Sequence, residues 1–126
     1  MTGERPTVFS DLIGLEFTEV DDGYSHGTIE VVDDLMNPND VLHGAVLYTM
    51  ADNGMGAALH TELAEGEQCA TIEIKINYLK PVLSGRVTCE TTLLRKGQSV
   101  AYLESDLIHD GETVARATGS FSIFTP

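Results

Sequence analysis

NPNDVLHGAVLYTMADNGMGAALH, residues 37–60, is the stretch whose reading decides the fold. Its first four residues, Asn37-Pro38-Asn39-Asp40, are turn formers. The sixteen residues that begin at Gly44 and end at Leu59 are mostly apolar and carry one acid, Asp52. That run is too long for a strand and suits a buried helix. The sequence on both sides of it reads as strand. A lone apolar helix among strands is stable when a sheet covers it, so the expected class is α+β, an antiparallel β-sheet wrapped around one long central helix.

Working outward, residues 1–6 read as a loose terminus and residues 8–13 as one helical turn ahead of Gly14. Residues 15–20 and 24–32 alternate, with Asp21-Asp22-Gly23 as the turn between them, which predicts a hairpin. Within it, Gly23-Tyr24-Ser25-His26-Gly27 matches the G-x-S-x-G pattern literally. A nucleophile elbow needs a strand, a sharp turn and a helix. Strands flank this one on both sides, so it reads as part of the hairpin.

Beyond the helix, Glu65-Gly66-Glu67 breaks the pattern. Residues 71–79 alternate strictly, with Ile72, Ile74, Ile76 and Tyr78 on one face and Thr71, Glu73, Lys75 and Asn77 on the other. Pro81 ends that strand. Residues 87–95 and 99–109 flank Lys96-Gly97-Gln98. Asp110-Gly111 marks another tight turn, and residues 113–124 complete a sixth strand. No repeat, linker or low-complexity tract interrupts the order, and the 126 residues read as one domain, 1–126.

Twenty acidic residues against seven basic ones give a net charge of −13. That disfavours nucleic acid, which needs a basic face. The acids are dispersed, so they do not form a disordered tail. A halophilic source and an ordinary acidic protein both fit this surface. No apolar run reaches transmembrane length, and the opening residues lack a signal-peptide pattern. Cys69 and Cys89 have neither metal-ligand nor disulfide-framework spacing, so a reduced, cytoplasmic protein is expected. His26, His43, His60 and His109 are dispersed, and no metal site is expected.

At 100° per residue, Thr49, Asp52, Asn53, Gly56 and His60 fall on one stripe of the helix. Gly54 and Gly56 each weaken a helix by about 1 kcal/mol, which predicts a close approach by something that offsets the loss. A solvated helix edge is the bland alternative for the stripe. At the helix start, amides lack intrahelical acceptors and carry the positive end of the dipole. Gly44 N–H, with no side chain shielding it, can donate to a ligand oxygen, as an oxyanion hole does. Asp52 stands eight residues on, about 12 Å along the axis. One helix cannot bring both to the same carbonyl, but two antiparallel copies can. The spacing predicts a site shared across a dimer.

The pattern Asn37, Leu42-His43-Gly44-Ala45 and Asp52 resembles the hotdog-fold acyl-CoA thioesterases of the phenylacetate-degradation (PaaI-like) type. That family's pattern is Asn, a short turn, Leu-His-Gly-Gly, then Asp or Glu eight residues after the first Gly. The likeness continues through residues 71–81, Arg95-Lys96-Gly97 and residues 115–121. It implies a hotdog fold and an enzyme that hydrolyses an acyl- or aryl-acyl-CoA thioester to free acid and coenzyme A. It implies a homodimer sharing active sites, pairing again into a homotetramer, with no cofactor beyond the coenzyme A of the substrate.

The resemblance also assigns roles to the catalytic candidates. Gly44 N–H polarises the carbonyl. Asp52 of the other subunit activates water as general base or attacks directly. Asn37 orients the water or thioester, His43 holds the loop and helix start, and Thr71 assists the carboxylate. Ala45 replaces the second Gly of the pattern, and Asp40 stands where Gly is frequent, in a left-handed conformation that Asp can adopt. Coenzyme A is polyanionic and a −13 surface repels it, so a local basic cluster is required, for which Arg95, Lys96, Gly97 and Lys80 are the candidates. Two other readings remain. One is a non-catalytic acyl-CoA-binding module. The other is a hotdog hydratase or dehydratase, disfavoured because Asn39 to Leu42 separate Asn37-Pro38 from His43.

Overall fold

The computed structural model describes residues 8–126, so the loose terminus expected for 1–6 lies outside the described residues. A single-turn helix, α1 (Phe9–Leu12), precedes the hairpin β1 (Glu16–Asp21) and β2 (Tyr24–Glu30). A 3-10 turn (Asp33–Leu35) leads to the long helix α2 (Gly44–His60). Four strands follow: β3 (Gln68–Tyr78), β4 (Arg86–Lys96), β5 (Val100–His109) and β6 (Glu112–Phe124). Each falls where alternation or apolar periodicity placed it, with ends shifted by a few residues.

All six strands form one sheet in the order β1-β2-β4-β5-β6-β3, every pairing antiparallel. The turns are set by their chemistry. Asp22 and Gly23 have φ of 48° and 73°, and Asp110 and Gly111 have 51° and 77°. Two successive positive φ values suit a two-residue hairpin, and Asp-Gly tolerates them. Among the described residues, no helix is long and apolar enough to cross a membrane.

Helix α2 touches every strand, so the sheet curls around it. Its buried side is formed by Leu47, Met50, Ala51, Gly54, Met55, Ala58 and Leu59, recurring every three to four residues. These meet Ile29, Val87, Leu103, Leu107 and Ala115 from the strands. Coverage is one-sided, however. Ala45, Tyr48 and His60 are exposed, and Thr49, Asp52, Asn53 and Gly56 only half-buried, so the polar stripe is the face the sheet leaves open.

The two helix glycines differ. A Cβ on Gly54 would lie 2.6 Å from Thr91 Oγ1 and 3.4 Å from Ser25 Oγ, so the expected close approach is real there. Ser25 donates to the Gly54 carbonyl at 2.7 Å, and Thr91 bonds Ser105 at 2.7 Å, which satisfies hydroxyls buried under the helix. At Gly56 no other element among the described residues of the chain comes within 4 Å of a Cβ.

The strict alternation expected of residues 71–79 also fails at one point. Thr71 pairs with Phe121 and Glu73 with Ser120, so Ile72 is an extra residue in a β-bulge. The bulge turns Thr71 onto the helix side with Ile74 and Ile76, and leaves Ile72 56% exposed. Thr71 therefore does not share a face with Glu73, and this moves it toward α2.

Candidate active site

Asp52 projects from the open face of α2, the one acid of that helix. The Thr71 hydroxyl donates to Asp52 Oδ1 at 2.6 Å. One carboxylate oxygen is thereby oriented and the other left for chemistry, since a carboxylate accepts several hydrogen bonds. Cys69, two residues before Thr71 on β3, is close enough to feel the Asp52 charge. Burial first and that charge second hold its thiol above the usual range. Cys69 was not anticipated at the site, and its shared face with Thr71 is the signal that finds it.

The other end of the site is the start of α2. His43 is the N-cap, with φ −65° and ψ 134°, and its Nδ1 accepts from Ala45 N–H at 3.0 Å. An accepting Nδ1 carries no proton, so the ring proton is on Nε2 while His43 caps. His43 N–H donates to Leu35 O at 2.9 Å and Val46 N–H to His43 O at 3.0 Å. His43 thus ties the loop to the helix start, and its Nδ1 is occupied by the cap. Among the described residues, no protein acceptor engages Gly44 N–H.

Asn37 organises the loop ahead of the helix. Its Oδ1 accepts from Asn39 N–H at 2.8 Å and Val41 N–H at 3.3 Å, and its backbone N–H donates to Val41 O at 2.7 Å. Asp40, with φ 63°, takes the left-handed conformation anticipated for it. The side-chain carbonyl of Asn37 is occupied by this turn, and its amide NH2 group is the part left over for a ligand.

Strand β3 touches both ends. Besides Thr71 at Asp52, Tyr78 hydroxyl donates to Gly44 O at 2.9 Å. The stretch of α2 from Gly44 to Asp52 holds these two anchor points about two turns, roughly 12 Å, apart. Within one chain they do not meet on a common atom.

The proposed coenzyme A cations are not gathered together. Lys80 lies beyond the C-terminal end of β3, beside an apolar groove of about 390 Å³ lined by Val41, Gly44, Leu47, Tyr78, Pro81 and Val82, among others. It pairs with Glu112 at 2.6 Å, and that hydrogen bond and charge hold the Glu112 carboxyl below its ordinary range. Lys96 pairs with Glu67 at 3.5 Å near the other end of β3. Arg95 registers with exposed Tyr102 after a second bulge at Leu94, on the sheet face turned from the helix, while Lys96 registers with buried Ala101. A Cβ on Gly97 would lie 2.8 Å from Val100 O, so that glycine closes the β4–β5 turn.

Residues 39–115 match the sequence profile of the Thioesterase superfamily. The medium/long-chain acyl-CoA thioesterase YigI of Salmonella typhimurium is 27% identical over 66% of this chain and 63% of its own length. The structure of the conserved protein PA5202 from Pseudomonas aeruginosa superposes with a TM-score of 0.90 and 28% identity, covering 94% of this chain and 95% of that one. A variant of the phenylacetic acid degradation protein PaaI from Thermus thermophilus has a TM-score of 0.84 at 23% identity, covering 90% and 96%, a likeness of fold. A six-stranded antiparallel sheet curled around one long helix is the hotdog architecture that the Leu42-His43-Gly44 pattern led us to expect. With its profile match spanning most of the chain, this protein belongs to the Thioesterase superfamily.

Proposed function

We propose that the protein is an acyl-CoA thioesterase whose site is completed by two copies of the chain. The observation that carries this reading is the pairing of Asp52 with Thr71 at 2.6 Å on the open face of α2. A carboxylate fixed by a hydroxyl, on a helix whose free N-terminal amide is about 12 Å away, fits an antiparallel partner that supplies the missing half. Strand β3 supports it. Among the described residues it is an edge strand, eleven residues long, and its outer backbone groups suit pairing with a second copy.

In this mechanism the thioester carbonyl accepts a hydrogen bond from Gly44 N–H of one copy. Asp52 of the other takes a proton from water as the water oxygen attacks the carbonyl carbon. The tetrahedral oxyanion stays at the helix start, then collapses, the C–S bond breaks, and coenzyme A leaves as its thiol with the proton that Asp52 took from water. Thr71 and His43 position these groups, and Asn37 holds the loop. No cofactor is needed. Arg95 supports contact with the coenzyme A phosphates best among the expected cations, because no carboxylate lies within ion-pair distance of it among the described residues. The similarity to YigI favours an aliphatic acyl chain of medium or greater length.

The test is release of free thiol from a panel of acyl-CoA thioesters in low and molar KCl, comparing wild type with Asp52→Ala. The expected result is turnover by wild type and a loss of at least about a hundredfold in kcat in a variant that stays folded. Tight acyl-CoA binding without wild-type turnover would instead assign a binding module.

A further inference from the structure

We propose that Tyr78 is a positioning residue for the carbonyl-binding amide, an inference that rests on the thioesterase reading. Tyr78 ends β3, and its hydroxyl donates to Gly44 O at 2.9 Å. Burial, and secondarily Tyr48, hold that hydroxyl above its ordinary pKa, so it remains a donor. Its ring occupies the space a side chain at residue 44 would need: a Cβ there would lie 2.9 Å from the ring Cζ and 3.1 Å from Cε1 and Oη. The glycine at the helix start and the tyrosine at the strand end are therefore matched in shape as well as hydrogen-bonded.

The bond reaches further into the helix start. The Gly44 carbonyl shares its peptide group with Ala45 N–H, which donates to His43 Nδ1 at 3.0 Å. Tyr78, the Gly44–Ala45 peptide and His43 form one chain of hydrogen bonds that fixes the tilt of the first helical turn. Gly44 N–H, one peptide earlier, inherits that orientation.

The bulge makes this possible. Thr71 and Tyr78 are seven residues apart, and in a regular strand an odd separation places them on opposite faces. The extra residue at Ile72 restores them to one face. One strand then clasps the helix twice, with Thr71 on the acid and Tyr78 on the amide turn.

Tyr78→Phe keeps the ring and removes the donor. The expected result is a kcat lower by about three- to tenfold, the effect of one lost neutral hydrogen bond, with KM changed less than twofold and full folding retained. Unchanged kcat, or a loss confined to KM, would overturn the proposal, as would a loss that only tracks the unfolded fraction. The backbone amide resonances of Gly44 and Ala45, followed by 15N-edited NMR in the unliganded proteins, give a second readout that needs no turnover. Both move in Tyr78→Phe if the clasp sets the turn, and unmoved resonances reject it. Absent thiol release by wild type would sink the thioesterase reading alone, and the amide shifts would then decide the clasp.

Discussion

Asp52 and Cys89 show how differently two titratable side chains fare around one helix. Asp52 is on the open side, held by Thr71 through 2.6 Å. Cys89 is on the closed side, 2% exposed, within 3.6 Å of Met50 O and 3.7 Å of Thr91 Oγ1. Burial pushes its thiol up to about 11 against an ordinary 9.0, even though Thr91 and Ser105 pull the other way. Below pH 9 the thiol is protonated folded and unfolded. Between pH 9 and 11 the unfolded chain releases the proton and the folded one keeps it, so stability is lost over that window. The loss reaches about 3 kcal/mol at most. Chemical denaturation at pH 8 and pH 10.5 should show a steeper alkaline decline in wild type than in Cys89→Ser, which keeps the shape without the titration. Parallel declines would show that Cys89 ionises freely in the fold. At this scale the places of Asp52 and Gly44 on α2 were legible, Asp52 from helical periodicity and Gly44 from the switch from turn formers to an apolar run. Cys69 and the Tyr78 hydroxyl bond were not, because which residues of β3 meet the helix depends on how the strand packs.

The elements were legible because their signals are local: Asp-Gly turns, period-two alternation, and one apolar run too long for a strand. The bulges were not. TIEIKINY alternates without a flaw, and nothing in its composition marks Ile72 as supernumerary; the partner strand's register decides it. The same holds for glycines. Gly54 and Gly56 look alike in sequence, yet only Gly54 faces the sheet, and a third, Gly119 on β6, has an equally close neighbour. A Cβ at Gly54 meets Thr91 Oγ1 at 2.6 Å, whose hydroxyl is buried and bonded to Ser105. A Cβ at Gly119 meets Met55 Sδ at 2.6 Å, on an unbranched side chain that can move aside. Gly54→Ala is therefore expected to destabilise by about 1–3 kcal/mol despite alanine's better helix propensity, and Gly119→Ala by less. Denaturant melts of the two variants check the order. In a Thr91→Ala background the cost of Gly54→Ala should shrink by about 1 kcal/mol or more, since the obstructing hydroxyl is gone. An unchanged cost would place the strain elsewhere.

At the scale of the whole molecule, one chain holds an amide at one end of a helix and a carboxylate two turns away, and β3 fastens each where it is. The cations expected for coenzyme A are likewise divided, Lys80 beyond one end of the sheet and Lys96 toward the other, with Arg95 on the outer face. That distribution was not legible in the sequence, which shows that the cations exist but not which end or face each occupies. A site split in this way makes a prediction that a self-contained one does not. Asp52→Ala keeps the amide and lacks the acid. Gly44→Pro keeps the acid and lacks the amide, and proline suits the first helical position after an extended residue such as His43. Adding Tyr78→Ala to that second variant makes room for the proline ring, and the site being restored takes its Tyr78 from the other subunit. Each variant alone should be inactive. Mixed in equal amounts under conditions that exchange subunits, half of the dimers are hybrids, and each hybrid rebuilds one intact site of its two. Activity per chain should return to about a quarter of wild type by random pairing. Thiol release before and after mixing measures it, with native mass spectrometry confirming that hybrids formed. Hybrids without recovered activity would mean that Gly44 and Asp52 serve the same copy, and that the 12 Å between them is bridged by some means other than a second chain.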